Sequence, residues 1–154
     1  MVEHDAAWTA DFEDLKRAGL RVTAPRLAVL AAVRRGGHLT VEELAACARE
    51  RLGTVSTQAV YDVLGALSTA GLVRRIEPPG GPARFEARVG DNHHHLLCRG
   101  CGAMADVDCV VGDGPCLELP AVAGYAIDEV QVIFRGLCPA CGSSVDAAGR
   151  GGVR

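Results

Sequence analysis

Aromatic rings are scarce in this sequence: three Phe, two Tyr and one Trp make up 4% of it. Any core must therefore rest on Ala, Val and Leu, and a hydrophobic share of 49% makes such a core feasible and argues against wholesale disorder. Long apolar runs are missing, and nothing approaches the roughly 18 residues that a membrane span needs. Met1-Val2-Glu3-His4-Asp5 lacks a basic start followed by an apolar run, so no secretory signal is read and the cytoplasm is the expected compartment. A dominant charge of one sign is also absent. The net charge is −3, with 12 Lys+Arg against 11 Asp+Glu in residues 1–88 and 4 against 8 in residues 89–154. Any nucleic-acid surface must then be a local patch on the first half, not a globally basic domain.

What the chain does have is cysteine. Six of its seven cysteines fall between positions 98 and 141. An odd count without a signal peptide weakens a disulfide scaffold. Cys98-Arg-Gly-Cys101 and Cys138-Pro-Ala-Cys141 are two C-x-x-C pairs, each followed by Gly (Gly102, Gly142). Two thiolates three residues apart can grip one tetrahedral ion from a tight turn, and a following Gly relieves backbone crowding. Four thiolates without His fill a coordination sphere, which predicts a structural zinc site. Either pair alone would equally read as a thioredoxin-like redox motif. The 36 residues between Cys101 and Cys138 imply that the ion staples two distant strand ends. Cys47, in an Ala-rich helical stretch, reads as a small buried side chain. Cys109 and Cys116 read as buried thiols, with an accessory redox pair as the alternative.

The first half reads as helices followed by a hairpin. Residues 12–18 form a short amphipathic helix. Thr23 caps a second, with Pro25 in its first turn and an apolar face of Leu27, Leu30, Ala31 and Val33, ended by Gly36-Gly37. Thr40-Val-Glu-Glu43 is a capping box for a third helix reaching about Leu52. Ser56 caps a fourth that carries Val60, Val63, Leu64 and Leu67 and stops at Gly71. Strands over Leu72–Glu77 and Ala83–Arg88 flank the loop Pro78-Pro-Gly-Gly-Pro82. This order predicts a winged helix-turn-helix over residues 1–88. A second domain of mixed helix and strand is expected over 89–146, and a disordered tail over 147–154.

On the fourth helix, Thr57, Gln58, Tyr61 and Gly65 share a face opposite the apolar stripe, which suits groove contacts with DNA. Gly65 costs roughly 1 kcal/mol against Ala, and close approach of another backbone is one explanation. Lys16, Arg17, Arg21 and Arg26, with Arg74, Arg75 and Arg84 on the hairpin, could hold phosphate, although scattered Arg most often solvates a surface.

The run Asp91-Asn-His-His-His-Leu-Leu-Cys98 is the most informative stretch. If extended, it points His93 and His95 to one side and His94 to the other. Two imidazoles on one face make half a coordination shell, with the carboxylates of Glu86 and Asp106 near in sequence and His38 on the loop between the second and third helices. A lone His such as His38 is by itself more often a satisfied surface residue. Nitrogen and oxygen donors suit Fe(II) or Mn(II), and also Zn(II) or Ni(II). Because these ligands come from both sides of the domain boundary, one ion would select an interdomain geometry and act as a switch.

With these residues in view the chain resembles the ferric uptake regulator (Fur) superfamily of metal-dependent bacterial repressors over about residues 15–142. The resemblance rests on Gly19-Leu-Arg-Val-Thr-Ala-Pro-Arg26, Ser56-Thr-Gln-Ala-Val-Tyr61, His93-x-His95-x-x-Cys98 and both C-x-x-C pairs. Val60-Tyr-Asp-Val-Leu64, Arg88 to His95 and Ala105 to Cys109 look most like its actinobacterial FurA branch, associated with control of catalase-peroxidase genes. The resemblance implies an α+β architecture: an N-terminal winged helix and a small C-terminal α/β dimerisation domain, working as a homodimer on DNA. It implies structural zinc on Cys98, Cys101, Cys138 and Cys141, and a regulatory Fe(II) or Mn(II) on His38, Glu86, His93, His95 and Asp106. It points to Arg21, Arg26 and Tyr61 as DNA contacts, beside Thr57 and Gln58. Asp at position 106 matches the peroxide-sensing PerR members, where iron-sensing members usually carry Glu. A third site found in many members is not expected, because Val130 stands where its His would be and Asn92 and His94 replace other members of the set, leaving Asp113. His94 is accordingly read as a non-ligand.

The function expected from this reading is a repressor whose Fe(II) answers peroxide, with reversible iron sensing as the alternative. Two rivals come from other classes. A non-heme iron oxygenase is disfavoured because five ligands leave little open coordination. A zinc-stapled protein-binding module would leave DNA affinity indifferent to Tyr61 and Arg26.

Overall fold

The structure, a computed structural model, describes residues 3–109, 125 and 130–143, with side chains described from Trp8 onward. It divides into two compact units, Met1–Gly90 and Asp91–Arg154. The expected tail over 147–154 lies outside the described residues.

In the first unit, α1 (Glu3–Arg17), α2 (Ala24–Gly36), α3 (Val41–Leu52) and α4 (Thr57–Thr69) surround one core. The first helix is longer than the expected 12–18, because nothing between residues 3 and 11 is Gly or Pro to stop it. Helix α2 is buried from Leu27 through Val33 on every side, since α1, α3 and α4 all pack on it. Its small residues Ala28, Ala31 and Ala32 let three neighbours approach, which is how a core with so few rings closes. Among the described residues Phe85 is the buried ring inside it, with Trp8 packed against it from the edge. Arg34 fastens α1 from outside: its guanidinium donates to Asp11 Oδ1 and, at 2.6 Å, to Asp14 Oδ2. Burial pushes the Asp11 carboxyl up against the opposing pull of Arg34, whereas Arg34 holds Asp14 down.

The helix starts follow the sequence. Thr23 caps α2, Ser56 Oγ accepts from Ala59 N at 3.1 Å to cap α4, and Thr40 with Glu43 closes a reciprocal capping box on α3. The Thr40 backbone N–H donates to Glu43 Oε2 at 2.7 Å and holds that carboxyl below its ordinary value. A depressed carboxylate stabilises the fold above its unfolded pKa near 4.5 and loses that contribution as pH falls through the lower folded value. Thr40→Ala is expected to cost about 1 kcal/mol at neutral pH in urea unfolding. Glu43→Gln keeps the box but should flatten the acid-side slope of stability against pH.

After α4 the chain forms β2 (Arg74–Ile76) and β3 (Arg84–Glu86), shorter than expected because the ladder stops well before the proline-rich loop. A third strand, β1 (Leu39–Thr40), joins the far side of β3, giving the order β1-β3-β2. Two residues are too few to show a period, so this strand escapes sequence reading. Its register pairs Leu39 with Phe85 and Thr40 with Arg84. His38 thereby falls beside Glu86.

The second unit is built on β4 (His93–Cys98), β5 (Met104–Asp108) and β6 (Ile133–Gly136), in the order β5-β4-β6. The β4–β5 pair is antiparallel and sets His95 opposite Asp106. The β4–β6 pair is parallel and sets Cys98 opposite Gly136. Each register brings together side chains that are far apart in sequence.

Candidate functional site

Each cysteine pair sits on the same local turn. Gly102 N donates to Cys98 O at 2.9 Å, and Gly142 N donates to Cys138 O at 2.8 Å. Gly102 needs its glycine, for its φ is +73°. Gly142 does not: it has no positive φ, and a Cβ there would meet nothing within 4 Å, so the backbone demands glycine only at the first knuckle. The parallel β4–β6 pairing carries Cys138 back to Cys98, whose Sγ accepts from Cys138 N at 3.2 Å. All four Sγ atoms of Cys98, Cys101, Cys138 and Cys141 lie within 4.8 Å of one another. Cys101 and Cys138 Sγ are 3.7 Å apart, close to the ~3.8 Å edge of a tetrahedron whose Zn–S bonds are ~2.3 Å. All four are free thiols, so two redox disulfides are not what the pairs form. Backbone N–H groups, Cys138's first and then those of Cys101 and Gly100, hold the Cys98 thiol down to about 6. Hydrogen bonds from the other three thiols push Cys141 up to about 12. Metal binding takes up such a set as thiolates, so an incoming cation displaces the protons that remain.

The knuckles also depend on a residue that the spacing rule does not flag. A Cβ on Gly100 would stand 2.8 Å from Cys141 Sγ and 3.0 Å from its Cβ. Gly100 is the variable position of a C-x-x-C, so only the approach of the second knuckle reveals its role.

Among the other cysteines, Cys47 is free and half-buried against the first unit's core. Cys109 is disulfide-bonded, which overturns its reading as a buried thiol. Cys116 and Asp113 lie outside the described residues.

The nitrogen and oxygen donors form one group in each unit. In the first, β1–β3 pairing sets His38 Nε2 3.1 Å from Glu86 Oε2, with both side chains more than nine-tenths buried. Arg84 Nη1 donates to the His38 carbonyl at 3.0 Å and steadies this loop, a different task from holding phosphate. In the second, His93 and His95 project from the same face of β4, and the Nε2 atoms of the two rings lie 3.9 and 3.8 Å from Asp106 Oδ1. The rings meet edge to face, with centroids 4.9 Å apart. His94 projects from the opposite face and packs against Phe134 at 5.8 Å. Each group joins imidazole to carboxylate, the hard and borderline donors that fit a divalent first-row metal.

On α4, Tyr61 is half-exposed and Gln58 is exposed, away from the buried Val60, Val63, Leu64 and Leu67. Gln58 Nε2 donates to Asp62 Oδ1 at 2.9 Å. Thr57 Oγ1 accepts from Arg49 Nη2 at 2.9 Å, while Arg49 Nε donates to Val55 O at 3.0 Å. Arg49 therefore ties the end of α3 to the start of α4, although its sequence context is that of one more solvated charge. Arg26 Nη1 donates to Arg21 O at 2.7 Å, fixing the two arginines beside α2. Gly65 faces open space: a Cβ there would meet nothing within 4 Å, so no backbone close by explains it. It borders a groove of about 550 Å³ that Tyr61, Arg75 and Phe85 also line.

Residues 17–134 match the ferric uptake regulator family. The chain belongs to that family. It is 55% identical over 132 residues to the transcriptional regulator FurA of Mycobacterium tuberculosis, covering 86% of this chain and 90% of that protein. It is 56% identical over 120 residues to ferric uptake regulation protein 1 of Mycolicibacterium fortuitum, covering 78% of this chain and 74% of the relative. A crystal structure of the Vibrio cholerae ferric uptake regulator superposes with a TM-score of 0.62 at 28% identity, over 82% of this chain and 98% of that one. Membership makes the chain a metal-responsive transcriptional regulator, not an enzyme, of a family that binds DNA and acts as dimers. Among the described residues no helix is long and apolar enough to cross a membrane.

Proposed function

We propose that this chain is a metal-dependent repressor that reads a palindromic operator as a homodimer and releases it on exposure to peroxide. The targets fitting such a sensor are catalase-peroxidase and other oxidative-stress genes. The observation that carries the reading is the pair of imidazole–carboxylate groups, His38 with Glu86 and His93 and His95 with Asp106. In this proposal the five residues share one Fe(II) or Mn(II), and Cys98, Cys101, Cys138 and Cys141 hold a structural Zn(II). Bound iron supplies one-electron reduction of H2O2 beside its own imidazole ligands, chemistry that manganese in the same place does not supply.

The chain's own residues do the rest. One unit gives His38 and Glu86 and the other gives His93, His95 and Asp106, so shared ligation favours a single arrangement of the reading heads. Swinging a population from 1:99 to 99:1 takes about 5.5 kcal/mol, which several ligands from both units can supply and one His cannot. In that arrangement the α4 helices of the dimer enter successive major-groove half-sites. Tyr61, Thr57 and Gln58 meet the groove, and Arg21 and Arg26 meet phosphate. His38 and His93 are the imidazoles expected to be oxidised; a modified ring ligates poorly and the heads come apart. An alternative route oxidises the zinc thiolates.

A second reading is reversible iron sensing at iron-uptake genes, favoured by the name of the Mycolicibacterium relative. Operator binding by Fe(II)- and Mn(II)-loaded protein, before and after peroxide, separates the two. Peroxide sensing requires that the iron form lose binding while the manganese form keeps it, and equal retention rejects it. Tyr61→Ala should weaken both forms at least tenfold; unchanged affinity would mean that α4 does not read DNA.

A further inference from the structure

The second metal group contains a carboxylate that none of the ligand assignments uses. Asp91 Oδ1 lies 2.8 Å from His93 Nδ1. An ionised carboxylate only accepts hydrogen bonds, so Nδ1 must carry the proton and donate it. The Nε2 atom is then left with the lone pair, and this is the nitrogen that lies 3.9 Å from Asp106 Oδ1. The His93 side chain is fully buried, while that of Asp91 is 40% exposed. Asp91 precedes β4 by two residues and belongs to the same unit as its partner, so the contact is local.

We propose that Asp91 is the positioning residue of His93: it selects the tautomer, fixes the ring and strengthens Nε2 as a donor toward a divalent cation. The inference rests on the reading of His93 as a metal ligand. It extends that reading, because an isolated imidazole prefers its proton on Nε2, the wrong nitrogen for this site. Carboxylates placed behind ligating imidazoles act in this way, and their loss typically costs 10–100-fold in metal affinity. Asp91 also accounts for a difference between the two histidines of this face. Both rings reach Asp106 on the opposite strand, and His93 takes a second carboxylate, Asp91, from its own strand's approach.

The test is ¹⁵N NMR of histidine-labelled, zinc-replete protein above the imidazole titration range, together with Mn(II) titration of the same samples. In the native chain His93 should show the Nδ1–H tautomer. Asp91→Ala should move it toward Nε2–H and weaken Mn(II) binding by about 10–100-fold. Asp91→Asn retains an acceptor without the charge, so it should keep the tautomer and lose only part of the affinity. An unchanged His93 tautomer in Asp91→Ala, or Mn(II) affinity within twofold of native, overturns the proposal alone. A native chain that takes up no Mn(II) beyond its zinc overturns the underlying metal-site reading, and the proposal with it.

Discussion

Replacing Cys98 or Cys138 by Ser is expected to take zinc content from one ion per chain to near zero and to unfold the second unit. The size of the effect follows from how little else holds that unit together. Among the described residues only Leu97 and Cys98 are buried apolar side chains there, against the continuous core of the first unit. A structural zinc supplies roughly 10–16 kcal/mol of apparent binding energy in small zinc-folded peptides, more than a few buried side chains can replace. Gly100→Ala should reach a similar end by a different route. Its methyl would press on Cys141 Sγ at 2.8 Å and on Leu137 Cδ2 at 3.4 Å, and a sulfur committed to a metal cannot retreat. Zinc assay together with far-UV circular dichroism and thermal unfolding checks both variants. Gly142→Ala is the control: that position is open and should keep its zinc. Full zinc occupancy in Cys98→Ser and Cys138→Ser would reject the four-thiolate site.

The second large effect concerns the regulatory ion. Glu86→Ala and Asp106→Ala should each abolish metal-stimulated operator binding and weaken Mn(II) uptake by at least 100-fold, while zinc content stays at one. That bound follows because losing a ligand should cost more than the 10–100-fold typical of losing an outer-shell partner. Glu86 is the more telling of the two. Its side chain is almost fully buried beside His38, where a carboxylate is costly unless it is paired or ligated. His94→Ala changes the same strand as His93 and His95 on its opposite face, where the ring packs on Phe134, and should leave metal-stimulated binding within about twofold of native. Isothermal titration with Mn(II) and fluorescence anisotropy on operator DNA read these outcomes. Metal stimulation that survives in both carboxylate variants would remove the proposed switch.

Much of the fold and of the donor chemistry is legible in the sequence alone. Caps at Thr23, Thr40 and Ser56 involve partners three residues away, so the sequence places the starts of α2, α3 and α4. The knuckles are equally local, with Cys98 and Cys101, and Cys138 and Cys141, each on one turn. The alternation of His93, His94 and His95 follows from strand geometry once the stretch is extended. Other features are not legible there. The strand β1 is too short for a pattern, and the opening residues of α1 carry no apolar period to mark its true start. Arg49, Gly100 and Asp91 take their roles from what lies next to them, and none has a spacing signature.

Composition and local pattern, then, determined which chemistry this chain carries: thiolates in pairs, imidazoles in alternation, and helices with defined starts. Tertiary structure decided which of these groups meet. His38 faces Glu86 because β1 pairs with β3 in one register, and His95 faces Asp106 because β4 pairs with β5 in another. Cys98 meets Cys138 because β6 returns parallel to β4. The physical reason is the range of the forces involved. Capping and alternation are fixed by bonds spanning a few residues, whereas strand register is chosen by the burial of a whole face, and a slip of one residue would turn every donor away.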